Sequence, residues 1–190
     1  MDTISILFWS GGKDSLLALR MLEKTTSGVS LLTTYDEAEN MVPVQSVPLR
    51  LIREQALYLG YMHTAIPIPF PCSNEVYLGR ILSHLEKLPF KIDRLVFGDW
   101  HLEDIRKWRE KVFGEKGYRC EFPIWQKEES DLLNLLFEEE CRIVISAVDE
   151  KYLNIIQPGT EYNRTFIRNL PDHVDPMGEN GEFHTRIIFP

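Results

Sequence analysis

The sequence predicts an α/β protein: a five-stranded parallel sheet with flanking helices, followed by a smaller α+β lobe. Three observations predict it. Short apolar runs alternate with segments of helical spacing as far as residue 125. A glycine-rich break, Ser10-Gly11-Gly12-Lys13-Asp14-Ser15, stands between the first apolar run and the first helical pattern. Beyond residue 125 the pattern differs, with a polar segment containing Pro158-Gly159 interrupting the apolar runs. Strands that alternate with helices pair in parallel through right-handed crossovers.

The elements follow in order. Residues 3–9 (TISILFW) read as a buried strand. Leu16, Leu17, Leu19 and Leu22 then recur at helical spacing, and Gly28 marks the stop. A second strand covers 29–35, a polar loop with prolines covers 36–48, and a helix over 49–59 ends at Gly60. The third strand is 62–68, after which Ser73 or Asn74 caps a helix running to about Lys87. Strands at 94–97 and 119–124 flank a helix over 102–113. These elements make a Rossmann-like parallel α/β domain of residues 1–125. Residues 126–190 form the smaller, substrate-side domain: a helix over 130–140, a strand over 142–148, a short helix near 163–169 and a terminal strand over 186–189.

The 190 residues, 44% hydrophobic and 26% charged, suit a globular chain and exclude disorder as the main theme. No apolar run approaches the roughly 18 residues of a membrane span. Met1-Asp2 lacks the basic start of a secretory leader. Cys72, Cys120 and Cys141 are odd in number and far apart, which suits neither a zinc ribbon nor a dithiol pair. Reduced thiols in a cytoplasmic compartment are expected. A net charge of −8 opposes broad affinity for nucleic acid. No feature bears on oligomeric state.

Three constellations carry chemistry. Glycines 11 and 12 let backbone N–H groups point at an anion, the helix dipole adds attraction, and Lys13 adds a point charge. Ser10 and Ser15 add hydroxyl donors. The spacing is that of neither a Walker A loop nor GxGxxG. The second constellation, Gly98-Asp99-Trp100-His101-Leu102-Glu103-Asp104-Ile105-Arg106, follows the fourth strand, where open parallel sheets bind ligands. Its acids can hold Mg²⁺ or orient a nucleophile; equally, they suit an ordinary acidic first turn with Glu103 paired to Arg106. Trp100 and Trp108 suit either adenine stacking or core packing. The third is Gly178-Glu179-Asn180-Gly181-Glu182-Phe183-His184-Thr185. Asn180-Gly181 is a strong two-residue hairpin signal, and such a turn sets Glu179 opposite Glu182 with His184 on the same face. Opposed carboxylates mark a cation, amine or proton site; a solvated hairpin is the other reading.

Residues 10–15 resemble the PP-loop of the ATP pyrophosphatases, in the adenine nucleotide alpha-hydrolase (HUP) group. All three segments in this order, with Phe122-Pro123-Ile124-Trp125 and Asp175-Pro176, resemble the diphthine–ammonia ligase family over nearly the whole chain. One departure is Val44-Gln45-Ser46-Val47-Pro48, where many members carry a His-containing segment. The resemblance implies an ATP-dependent ligase that adenylates a carboxylate, releases pyrophosphate, and then releases AMP when ammonia attacks. It implies diphthine-modified elongation factor 2 as acceptor. Ser10, Gly11, Gly12, Lys13, Asp14, Ser15, Gly98 and Asp99 would bind ATP, with Mg²⁺ on Asp14. Asp14, Glu179, Glu182 and His184 would be catalytic. Glu103, Asp104, Glu179, Asn180, Gly181 and Glu182 would face the substrate. A PP-loop RNA-modifying enzyme and a non-catalytic adenine-nucleotide-binding protein remain as rivals.

Overall fold

The computed structural model describes residues 3–26 and 28–190; Met1-Asp2, on which the leader reading rests, lies outside them. In chain order the first half comprises β1 (Thr3–Phe8), α1 (Lys13–Leu22), β2 (Val29–Asp36), β3 (Met41–Val42), β4 (Val47–Pro48), α2 (Leu49–Leu59) and β5 (Met62–Ile68). Then come α3 (Asn74–Leu85), β6 (Lys91–Val96), α4 (Glu103–Gly114), β7 (Cys120–Glu121), α5 (Glu129–Phe137), β8 (Arg142–Val148), α6 (Arg164–Arg168) and β9 (Phe183–Ile188). The five expected strands pair in parallel in the spatial order β5-β2-β1-β6-β7. β2 and β6 flank β1 on opposite sides, so the chain crosses over β1 between β5 and β6. Ligand clefts open at such a switch point, beyond the carboxyl ends of the strands.

Adjacent residues on each strand serve opposite faces. Ile6, Leu32 and Leu95 pack with Ile81 and Leu85 of α3 and Phe113 of α4. Leu7, Leu31 and Val96 pack on the other face with Leu16 of α1, Ile52 of α2 and Leu132 of α5. Ile143 of β8 and Ile187 of β9 join this second cluster, so residues after 125 share a core with the sheet.

Helix ends follow local chemistry. The Ser73 hydroxyl accepts the Val76 N–H, fixing the start of α3, and Gly60 ends α2 in the left-handed region at φ 75°. Residues 36–48 are not all loop. Val42 and Val47 are cross-strand partners and both are buried, so a short antiparallel hairpin, β3–β4, extends from β2. β7 is shorter than 119–124, with the imino acid Pro123 just beyond it. β9 starts three residues earlier than expected because buried Phe183 pairs with Val148 of β8. No helix among the described residues is long and apolar enough to cross a membrane.

Candidate functional site

A cleft of about 790 Å³ opens at the switch point, within the range of small-molecule sites. Ser10, Gly12, Lys13, Asp14 and Ser15 form its floor. The first turn of a helix leaves N–H groups without intrahelical acceptors. Here the Lys13 N–H donates to Thr185 Oγ1 at 3.0 Å. Among the described residues, the Asp14 and Ser15 amides have no such partner, which leaves both N–H groups open to an anion. Lys13 Nζ stands 2.6 Å from Asp14 Oδ1, and both side chains line the cleft.

Two loop residues depart from expectation. Gly11 does not line the cleft. It turns at φ +78° against α2, and its carbonyl accepts the Ile187 N–H at 2.9 Å and Gln55 Nε2 at 3.1 Å. The Ser15 hydroxyl donates to the Gly12 carbonyl at 2.9 Å, so its proton is spent inside the loop. Gly12 has a separate requirement for glycine: a Cβ there would lie 2.8 Å from the Thr185 carbonyl.

Behind the loop stands Gln55, which sequence reasoning passes over. Its Oε1 accepts Trp9 Nε1–H at 2.8 Å, and its Nε2 donates to Gly11 O and to Ile187 O at 2.7 Å. The end of β1, the loop and β9 are thus tied at one buried amide. The available signal was a polar residue on the apolar stripe formed by Leu49, Ile52 and Ala56.

Only part of the second segment reaches the site. Gly98 and Asp99 line the cleft, and a Cβ on Gly98 would lie 2.8 Å from the Asp14 carbonyl. Burial pushes the Asp99 carboxyl up, and its partner Arg109 opposes that rise. Glu103 and Asp104 lie outside the cleft on the exposed first turn of α4. Glu103 pairs with Lys107 at 2.8 Å, and the expected partner Arg106 binds Glu110 instead. Trp100 is core, with Nε1 donating to Lys127 O at 2.8 Å, whereas Trp108 lines the cleft.

The expected hairpin does not form. Asp175 Oδ1 accepts the Met177 N–H at 2.7 Å, Gly178 N–H returns to Asp175 O, and Gly181 N–H returns to Gly178 O. These successive turns, started by Asp175-Pro176, leave no strand to pair across Asn180-Gly181. Glu179 and Glu182 therefore separate. Glu182 is 1% exposed and accepts the Asn180 N–H at 3.0 Å, Asn180 Nδ2 at 3.1 Å and the Asp175 N–H at 3.3 Å. Burial alone would raise its carboxyl, but these donors hold it below the ordinary range. Glu182 closes the turn, and neither it nor the exposed Asn180 lines the cleft. Removing the carboxylate by Glu182→Ala is expected to cost about 2 kcal/mol, read as a fall in thermal midpoint at pH 7. Because the folded-state value is depressed, this contribution is present above about pH 4.5 and fades as pH falls through the lower folded value. The parent and Glu182→Ala midpoints should therefore converge in acid.

Glu179, Gly181 and His184 do line the cleft. Burial, then the nearby Asp14 charge, pushes the Glu179 carboxyl up to about 7, with Lys13 opposing. Burial and Lys13 lower His184, which keeps its imidazole neutral near pH 7. The cleft thus holds a carboxyl poised to exchange a proton near neutrality beside an anion cradle. Among the described residues, no three His, Cys, Asp or Glu side chains gather as a ligand set. Mg²⁺ does not need one, since one or two carboxylates plus substrate phosphates hold it, and Asp14 fits that pattern.

A glycine-rich anion loop between β1 and α1, at the carboxyl edge of a parallel sheet, defines a nucleotide-binding α/β domain of PP-loop type. More narrowly, the chain belongs to the diphthamide synthase N-terminal domain family, whose model matches residues 3–120. PP-loop proteins of this kind bind ATP, typically with Mg²⁺. A search of curated proteins finds no match. Among solved structures, the chain is similar to a predicted subunit of a tRNA methyltransferase from Methanocaldococcus jannaschii, at 16% identity and TM-score 0.49, over 99% of this chain and 97% of that one. It is also similar to the U34-tRNA thiolase NcsA from Methanococcus maripaludis, solved with its 4Fe-4S cluster, at 18% identity and TM-score 0.39, over 73% and 57% of the two chains.

Proposed function

We propose that the protein is an ATP-dependent amide-forming ligase, with a carboxylate acceptor of the diphthine type carried on elongation factor 2. The observation that carries this reading is geometric: Gly12, Lys13 and Asp14 of the loop and the carboxyl of Glu179 line one cleft. In the first step an acceptor carboxylate oxygen bonds to the ATP α-phosphorus. The bond to the bridging oxygen breaks, and pyrophosphate leaves. The Asp14 and Ser15 amides and the Lys13 ammonium stabilise that leaving charge. Asp14 would hold Mg²⁺, which when bound would neutralise further negative charge on the phosphates. In the second step the ammonia nitrogen bonds to the acyl carbon, the bond to AMP breaks, and Glu179 takes the proton that the nitrogen sheds. His184, neutral and beside Lys13 and Asp14, can accept a hydrogen bond without adding charge.

Cys72 lines the cleft, whereas Cys120 and Cys141 stand outside it. Burial pushes Cys120 and Cys141 up to about 11, which keeps them as thiols. The test is ATP labelled at the α-phosphate, incubated with Mg²⁺, ammonium and diphthine-bearing elongation factor 2. AMP is expected only when that acceptor is present, and Asp14→Ala is expected to suppress it. AMP formed with bulk transfer RNA instead would replace this reading by RNA modification. Tight ATP binding with no AMP under any condition would leave a nucleotide-binding protein.

A further inference from the structure

We infer that Arg109 is the receptor for the acceptor's carboxylate, on the cleft wall opposite the one that suits the nucleoside. This rests on the ligase reading above. Arg109 reaches from α4 into the cleft beside Gly98 and Trp108. Its guanidinium carbon lies 4.2 Å from the centre of the Phe97 ring, so stacking fixes its position. Asp99 grips one edge: Arg109 Nε is 2.8 Å from Asp99 Oδ2, and Nη2 donates to Oδ1 at 3.4 Å. The shorter contact is off the hydrogen-bond line. Arg109 Nε and Asp99 Oδ2 are both buried and face each other, so this edge of the guanidinium is taken up by Asp99. Arg109 is the more open partner, at 20% exposure against 12% for Asp99. A guanidinium held by one edge still presents N–H groups suited to a carboxylate.

Topology decides which anion it meets. The anion loop follows β1, with β2 on one side of that strand and β6 on the other. On the β2 side the cleft wall is uncharged, built from Leu32, Thr34, Tyr35 and Ile68, and suits a nucleoside. On the β6 side it carries Asp99 and Arg109. The loop, with Lys13 already paired to Asp14, serves the phosphates. An acceptor carboxylate entering past Asp14, Asp99 and Glu179 needs a cation, and Arg109 is the cation on that wall.

The test compares two forms of one partner: elongation factor 2 bearing diphthine, and the same protein bearing diphthamide, in which a carboxamide replaces the carboxylate. Binding is measured with α,β-methylene ATP and Mg²⁺ present. The parent is expected to prefer the carboxylate form by about tenfold. Arg109→Gln should erase that preference while leaving affinity for the ATP analogue unchanged, measured well below a thermal midpoint that falls because Asp99 loses its partner. Arg109→Lys, which keeps charge but loses the fork, should restore part of it. Asp99→Asn, which breaks the ion pair but leaves the guanidinium, should keep it. A preference that survives Arg109→Gln overturns the assignment, as does one lost equally in Asp99→Asn, the pattern of a purely structural pair. Equal binding of both forms by the parent overturns the receptor alone. Binding of neither form removes the ligase reading and the receptor with it.

Discussion

Replacing Gln55 by leucine is expected to lower the thermal midpoint by about 10 °C and to abolish measurable ATP binding. The side chain is 1% exposed, so no water stands ready to take over its bonds. Leucine matches its volume but offers neither donor nor acceptor. Trp9 Nε1–H loses its acceptor and Ile187 O loses a 2.7 Å donor, while Gly11 O keeps only the Ile187 N–H. Unpaired buried groups cost about 1–3 kcal/mol each, giving roughly 4 kcal/mol here. For a chain of this size each kcal/mol moves the midpoint by about 2–4 °C. The effect on ATP follows from where the lost bonds sit. They join the end of β1, the turn at Gly11 and strand β9, which in turn supplies Thr185 to the Lys13 N–H. Calorimetric scanning and titration with Mg-ATP test the two halves separately. A midpoint within about 2 °C of the parent would show that the loop does not depend on this amide.

Local features were legible in the sequence, and features joined by folding were not. The five strands and the loop at residues 10–15 are contiguous signals, read from apolar runs and glycine placement, and they appear where expected. Glu179 and His184 were named on the premise of a hairpin that does not exist, yet both line the cleft, because the turns started by Asp175-Pro176 also deliver them there. The same turns take Glu182 out of the site. Pairing across Asn180-Gly181 required a strand before the turn, and two prolines, Pro171 and Pro176, stand in that segment. Glu103 and Asp104 failed differently. Once α4 starts at Glu103, their side chains leave its first turn toward solvent, and only the preceding Asp99 stays at the strand end. Gln55 and Thr185 act across 44 and 172 positions of chain, a relation no local pattern encodes.

Glu179→Gln is expected to have opposite effects on activity and stability. The parent carboxyl sits at about 7 instead of the ordinary 4.5, raised by burial and by Asp14. If Glu179 takes the proton from attacking ammonia, the working form is the carboxylate. The parent rate should then climb with pH through an inflection near 7, which the glutamine variant should lack. Loss of a positioned base costs typically about 10²–10⁴-fold in turnover, and the variant should fall within that range. Stability runs the other way. A carboxyl whose folded value is raised binds its proton more tightly in the folded chain than in the unfolded one. Its ionisation therefore weakens the fold progressively as pH rises from 4.5 through about 7, and the penalty is full above that. Glutamine carries no charge and escapes it. At pH 8 the variant should be more stable than the parent by about 3 kcal/mol, and at pH 4 the difference should vanish. Rate profiles and thermal midpoints over the same pH range read both effects on the same proteins. A slower enzyme with no gain in stability at pH 8 would mean that Glu179 is solvated in the cleft, and its role as a proton acceptor tuned to neutrality would be lost.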